Sequence, residues 1–311
     1  MPNAQPIRHV AIIGPGAIGL VLAVRLALAG GAKVTLIDHR PDRAARLASR
    51  PIRLHTPEGD LAAAISVRTA PEAPPDVVFL ATKAYAARAA AESAAAWIGR
   101  APLVAMQNGL GVTDEVAKVL PQGRVITAVI YQGANMVAEG EVNHVANLMT
   151  HLGYEGRTPD QTVRSVAALL AGAGLPAEVA PDMTPVVWAK LLINAAINPV
   201  AAMAGELNGR VADRPTLRAL AGSIAEEGEA LVRAEGVTLP YSSAARAALE
   251  TAQRTATNRC SMLQDLEAGR RTEIDYLSGA IVRVAERRGL VAPTNRAITA
   301  LVKQVSQARG A

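Results

Sequence analysis

The chain is predicted to be an α/β protein in two parts, a parallel-sheet domain over residues 1–182 and an all-helical domain over 183–311. Three observations predict it. Short β-like runs alternate with Ala-rich helical stretches through the first half. A glycine-rich turn, Gly14-Pro15-Gly16-Ala17-Ile18-Gly19, joins the first of those runs to an apolar helix. Beyond Pro185 the β-branched runs give way to helical periodicity.

In chain order, strands are expected at 10–13, 33–37, 77–81, 103–106 and 125–129, with helices near 18–29, 41–49, 85–98 and 112–119 between them. Such βα alternation places helices on both faces of a parallel sheet. Residues 52–54 and 62–67 flank a Pro-Glu-Gly-Asp turn and read as a hairpin-like insertion. The stretch 141–152 reads as further extended structure and 177–180 as a last short strand. Helices are expected over 185–204, 213–236, 241–266, 272–288 and 293–307, which puts the domain boundary near Asp182. No internal repeat or low-complexity segment interrupts this order.

A chain of 311 residues, 50% hydrophobic and 19% charged, is long enough for two packed cores. With 3% aromatics those cores must be built from Ala, Val, Leu and Ile. The formal charge of +5 is spread along the chain, and few aromatics are available to stack bases, so a nucleic-acid partner is not motivated. A site for an anionic small molecule would account for part of the excess equally well. The single cysteine, Cys260, excludes an internal disulfide and fits a reducing, cytoplasmic setting. Arg8 and the apolar run after it resemble a signal peptide, but Gly14-Pro15-Gly16 break the run and Arg25 ends it. No later segment is expected to cross a bilayer, so no membrane partner is expected.

In the glycine turn the first glycine permits the tight bend, and the second lets backbone approach a pyrophosphate. The third lets the helix pack on the strand, and the helix N-terminus receives the anion. Gly14, Pro15, Gly16, Ala17, Ile18 and Gly19 therefore read as a dinucleotide loop of Rossmann type. Asp38 lies about 20 residues further on, where an acid binds the ribose 2′-hydroxyl of NAD. Yet Arg40 and Arg43 follow at once, and arginine suits the 2′-phosphate of NADP. Local chemistry leaves both open, together with a plain solvated loop. Lys83 and Asn108 each follow a strand, at the end of an α/β sheet where ligands bind, although Asn and Gly are also ordinary turn residues.

In the helical half, AKLLINAAINP places Lys190, Asn194 and Asn198 four residues apart. At 3.6 residues per turn they share one helix face, drifting ~40° per step. Only five of the 32 basic residues are lysine, and a lysine in an apolar segment can shift its pKa and exchange a proton. Asn258, Ser261 and Glu273 are further candidates, although Glu273 after Thr272 also suits the first turn of a helix. Cys260 has no His or Asp at a spacing that suggests a thiol nucleophile. His144 and His151 lack a Cys/His partner pattern, so no metal site is expected.

Taken together, GPGAIG, TKAY at 82–85, QNG at 107–109, NHVANLMTHLG at 143–153, WAKLLINAAINP at 188–199, NRCSMLQD at 258–265 and TEIDYLSG at 272–279 resemble ketopantoate reductase, also called 2-dehydropantoate 2-reductase. The resemblance implies a Rossmann-type domain joined to a helical domain like that of the 6-phosphogluconate dehydrogenases. It also implies reduction of 2-dehydropantoate to (R)-pantoate with NADP(H), on the pantothenate and coenzyme A route. By motif, Lys190 corresponds to the family's general acid, and Asn194, Asn198 and Asn208 to its substrate-binding asparagines. Ser261, with Asn258 nearby, matches the group that holds the substrate carboxylate end. Lys83, Asn108 and Glu273 match the junction of cofactor and substrate, and Ala134 a backbone contact to the cofactor.

Asp38 departs from the family pattern, since NADP-using members commonly carry a basic residue near there; it leaves NAD(H) open as cofactor. Two other functions stay in view, an NAD-linked D-2-hydroxyacid dehydrogenase of the same fold and a non-catalytic NADP-sensing regulator. The expected partner is a small anionic 2-keto acid substrate bound in a cleft between the domains, with a homodimer left open.

Overall fold

A computed structural model of the chain describes residues 6–120 and 124–310. It divides into two compact units, one of residues 1–107 with 112–183 and the other of residues 108–111 with 184–311.

The first unit begins β1 (His9–Ile13), α1 (Ala17–Ala29), β2 (Lys33–Ile37), α2 (Pro41–Ala48), β3 (Ile52–Thr56), β4 (Gly59–Ala63) and β5 (Ser66–Arg68). It continues β6 (Val77–Leu80), α3 (Ala87–Ala94), β7 (Leu103–Ala105), α4 (Val112–Ala117) and β8 (Val125–Ile130). Then come β9 (Gly133–Ala138), β10 (Glu141–Ala146), β11 (Thr150–Gly153), α5 (Gln161–Gly172) and β12 (Ala177–Val179). Eight strands form one sheet in the order β12-β11-β8-β7-β6-β1-β2-β5. From β5 to β8 every pairing is parallel, and β11 joins β8 antiparallel. Its central strands are fully buried, among them Val10, Ile12 and the chain's single phenylalanine, Phe79.

A second sheet, β4-β3-β10-β9, turns its Ile52, Leu54 and Val142 toward α1. This explains why α1 is apolar all round. It packs on β1 and β2 and on all four strands of the small sheet, so no side of it needs to be polar. The hairpin insertion differs from expectation. Its turn connects β3 to β4, while Ser66–Arg68 leaves the hairpin to pair in parallel with β2 at the edge of the main sheet. β9 and α5 were not expected; α5 is capped by Asp160, whose side chain accepts from the Val163 amide at 3.2 Å.

The second unit contains α6 (Thr184–Ala204), α7 (Asn208–Asp213), α8 (Pro215–Ala234), α9 (Ala244–Arg254), α10 (Ser261–Glu267), α11 (Ser278–Arg287) and α12 (Pro293–Ala308). α6 is the central element, packed by α7, α8, α9, α10 and α12. Contrary to expectation it is long and apolar enough to span a bilayer, with 21 residues and mean hydropathy 1.5, but 67% of its most apolar window is buried inside the protein. Such composition belongs equally to a core helix. A Cβ at Gly228 on α8 would lie 2.3 Å from Leu192, so the two helices pack closely there. Glu227 closes the start of α12 by accepting from the Thr294 and Asn295 amides at 2.8 and 2.9 Å. The helix expected over 241–266 is broken at 255–260, and that over 272–288 at Leu277.

Candidate active site

The first unit gathers strand ends around the glycine loop. Gly14 donates to Ile37 O at 3.0 Å, and Ala81 donates to Ile13 O at 2.8 Å, so the C-terminal ends of β1, β2 and β6 converge. In doubly wound sheets this is where ligands bind. Gly14 has φ 105°, and a Cβ there would lie 3.0 Å from the Ala81 and Thr82 backbone. A Cβ on Gly19 would fall 1.9 Å from Gly14 O, which only glycine avoids. At Gly16 a Cβ would meet nothing within 4 Å, so the loop is open at the one position where a phosphate must approach. No side chain caps α1, which leaves its first-turn amides of Ala17, Ile18 and Gly19 to an anion. These residues fit a dinucleotide.

Beside that loop, Lys83 starts the turn after β6, and Thr82 Oγ1 is buried without a hydrogen-bond partner. Gln107 donates from Nε2 to Leu80 O and Thr82 O, at 2.7 and 3.2 Å, which ties the ends of β6 and β7 together. Asp38 is buried at the end of β2. Arg43 pairs with both of its oxygens and the Arg40 amide donates to Oδ1 at 3.1 Å. Burial alone would raise its pKa. The Arg43 hydrogen bonds, the Arg40 amide and the Arg43 charge outweigh that and hold the carboxyl below its usual range.

In the second unit Lys190, Asn194 and Asn198 occupy a half-buried face of α6, while Leu191, Leu192, Ala195 and Ala196 are buried around them. Burial pushes the Lys190 ammonium down to about 8, against the opposing charge of Glu273. Glu273 is itself only 7% exposed and precedes the 3-10 turn Ile274–Tyr276, so it sits before a single turn and not in a long helix. The loop carrying Asn108 docks on the same turn. Leu110 donates to Tyr276 O at 3.0 Å, and Gly109, at φ 100°, lies so close that a Cβ would be 2.2 Å from that oxygen. Asn108, Lys190 and Glu273 thus belong to one unit, although Asn108 follows a strand of the other.

Around the far end of the α6 stripe the remaining candidates are linked by backbone. The buried Cys260 thiol contacts Asn198 O at 3.5 Å, and its sulfur accepts from the Leu263 amide at the start of α10. Burial raises the thiol to about 11, which makes it inert as a nucleophile at neutral pH. Ser261 follows as the exposed first residue of α10. Exposed Asn258 accepts from the Asn208 amide at 3.1 Å through its carbonyl. Asn208 is 5% exposed; its Nδ2 donates to Thr255 Oγ1 at 2.9 Å and its Oδ1 is buried without a partner.

The family profile described as "Ketopantoate reductase PanE/ApbA" matches residues 10–156, and its C-terminal counterpart matches 182–306. A 2-dehydropantoate 2-reductase of Archaeoglobus fulgidus is 32% identical over 96% of this chain and 98% of its own. The chain belongs to the ketopantoate reductase family.

Similar 2-dehydropantoate 2-reductases include one from Halobacterium salinarum, 32% identical over 95% of this chain and 98% of that one. The solved PanE/ApbA family ketopantoate reductase of Ralstonia eutropha JMP134 is 31% identical, covers 97% of this chain and 100% of its own, and superposes with a TM-score of 0.89. D-mandelate dehydrogenase with NADH and anilino(oxo)acetate shares the fold, with a TM-score of 0.88 at 20% identity over 97% of this chain and all of that one. The chain is accordingly an oxidoreductase of Rossmann-plus-helical architecture.

Ala134, matched by motif to a cofactor contact in ketopantoate reductases, lies in β9 opposite His144. Sequence reasoning passed over Gln107 as a tie between strand ends, although it opens the QNG motif. It also passed over Tyr241, which donates to Ala189 O at 3.0 Å immediately before Lys190. Only the asparagine and glycine of the first carried a signal, and Tyr241 lies in a connection with no motif. Among the described residues no group of three or more His, Cys, Asp or Glu is placed to hold a metal ion.

Proposed function

We propose that the chain reduces 2-dehydropantoate to (R)-pantoate with NADPH, in pantothenate and coenzyme A biosynthesis. The observation that carries this reading is Lys190: a half-buried ammonium held near 8, with Glu273 acting on it and two amides in line along the same helix face. When bound by Gly14–Gly19 and the α1 amides, the nicotinamide dinucleotide supplies the hydride.

The Lys190 ammonium donates a hydrogen bond to the C2 ketone oxygen, stabilises the charge that develops there, and transfers its proton to give the alcohol. An arginine could stabilise the charge but would not release the proton. The Glu273 carboxylate favours the charged lysine before the transfer and favours its reprotonation afterwards. Asn194 and Asn198 orient the substrate hydroxyl and carboxylate without adding charge, and Ser261 with Asn258 holds the carboxylate end. Asn208, with its carbonyl oxygen unpaired, is a further acceptor for a substrate hydroxyl. Lys83 and Asn108 serve where cofactor and substrate meet. The lone buried Cys260 fits a cytoplasmic setting.

The test is steady-state oxidation of NADPH and NADH with ketopantoate and a series of linear 2-keto acids, on wild type and Lys190→Ala. Ketopantoate with NADPH should give the highest kcat/KM, and Lys190→Ala should lower kcat by about a hundredfold or more. Wild-type turnover in Lys190→Ala would remove the proton-donor role. Tight NADPH binding with no oxidation by any keto acid would favour a nucleotide sensor instead.

A further inference from the structure

We infer that Asp38 is a positioning residue for Arg43, and that this pair with Arg40 forms the seat for the 2′-phosphate of NADP(H) rather than an acceptor for the 2′-hydroxyl of NAD(H). The inference rests on the dinucleotide reading of the glycine loop and deepens it.

A carboxylate that selects NAD must present a lone pair to the ribose. The Asp38 side chain has no exposed surface, and its oxygens are already engaged. Oδ2 accepts from Arg43 Nε, and Oδ1 accepts from Arg43 Nη2 at 2.8 Å and from the Arg40 amide at 3.1 Å. The amide bond, from two residues on, folds the β2–α2 turn around the carboxylate so that Arg40 becomes the residue before α2. Asp38 therefore faces inward and organises the turn.

The other side of the pair faces outward. A guanidinium has five N–H donors. Two are taken by Asp38, and the side chain remains 24% exposed, so donors are left on the outer edge. Fork-to-fork pairing also fixes the plane of the guanidinium, so those donors do not have to be ordered when a ligand arrives. Arg40 is exposed beside it, and His39 is exposed with Nδ1 3.6 Å from Asp38 Oδ1. The neighbouring acid Asp42 pairs with Arg46 at 2.9 Å. Arg46 is shared between Asp42 and Glu139, so Arg40, Arg43 and Arg46 stand against Asp38, Asp42 and Glu139 around the turn. What favours a dianion is therefore the placement of the donors: Arg43 and exposed Arg40 face outward while the Asp38 carboxylate is enclosed and offers a ribose edge no acceptor.

Titration calorimetry with 2′,5′-ADP and 5′-ADP reads the seat directly, without turnover. Wild type should bind 2′,5′-ADP at least about tenfold more tightly. Asp38→Asn should reduce that preference about tenfold while leaving 5′-ADP affinity unchanged, and Arg43→Met should abolish it. The double variant should be no worse than Arg43→Met, because Asp38 acts through Arg43. Should Asp38→Asn fail to fold, Arg43→Lys keeps the charge but not the fork and must lower the preference.

A gain in 2′,5′-ADP affinity in Asp38→Asn would overturn the inference, since that is how a repelling, NAD-selecting acid behaves. So would an unchanged preference in either variant, or a wild type that favours 5′-ADP. Turnover separates this from the proposed reaction. A chain that shows the preference and reduces no ketopantoate keeps the seat and loses the reaction; one that reduces ketopantoate equally well with NADH does the reverse.

Discussion

Replacing Glu273 by glutamine should move the basic limb of turnover to lower pH. Lys190 is held at about 8 by burial, with the Glu273 charge pulling the other way. Against an ordinary lysine at 10.5 this corresponds to about 3 kcal/mol disfavouring the charged form. Reduction consumes the ammonium, so forward kcat should be nearly full at pH 7 and about a tenth of that at pH 9. Oxidation of pantoate needs the free amine and should rise through the same range. The amide in Glu273→Gln would keep the shape of the side chain but remove the opposing charge. The lysine then loses its proton at lower pH, and the variant suffers more at pH 8 than at pH 6. The assay is kcat against pH from 6 to 10 at saturating substrate, in both directions. A wild-type limb near the ordinary lysine value would refute the burial argument. A Glu273→Gln limb that stays put or moves up would refute the assignment of Glu273 as the stabilising charge.

Three further outcomes are expected. Asn198→Ala should raise the KM for ketopantoate about tenfold and change kcat little, as expected for one lost amide hydrogen bond, read by steady-state kinetics. Gly109→Ala combines a left-handed backbone with a Cβ 2.2 Å from Tyr276 O; it should cost about 2–4 kcal/mol in urea unfolding and lower turnover by displacing Asn108. Burial raises the Glu227 pKa but its bonds to Thr294 and Asn295 outweigh that and lower it, so it stabilises the fold above the ordinary glutamate pKa and loses this as pH falls through its depressed value. Glu227→Gln should therefore lower Tm at pH 7 and flatten the acid side of the Tm–pH curve.

The parallel sheet was legible because its strands are apolar runs of the length a buried strand requires, and β2 occupies the expected 33–37. What escaped depended on pairing. Ser66–Arg68 joins the main sheet through β2, far from it in sequence, and nothing in its own composition separates it from the preceding hairpin. β9, GANMVA, lacks the β-branched density of a strand and, at the edge of its sheet, is hydrogen-bonded to β10 as its one strand neighbour. The segment 255–260 breaks the expected helix without proline or glycine, because Asn208 and Gly209 dock their amides on its carbonyls. That is a tertiary preference overriding a local one.

At the site, a helical repeat of four was sufficient to place Lys190, Asn194 and Asn198 on one partly open face, because helix geometry is local. Asp38 marks the limit of such reasoning. As letters, an acid followed by two arginines is compatible with either nicotinamide cofactor. The two readings differ in which way the carboxylate points, and here it is turned to Arg43 in the first turn of α2. A carboxylate facing solvent repels a phosphate, whereas the same group enclosed by a guanidinium orients the cation that attracts it. If Asp38 orients Arg43 as proposed, the partner of the acidic residue, and not the acid alone, decides which nicotinamide cofactor this chain takes.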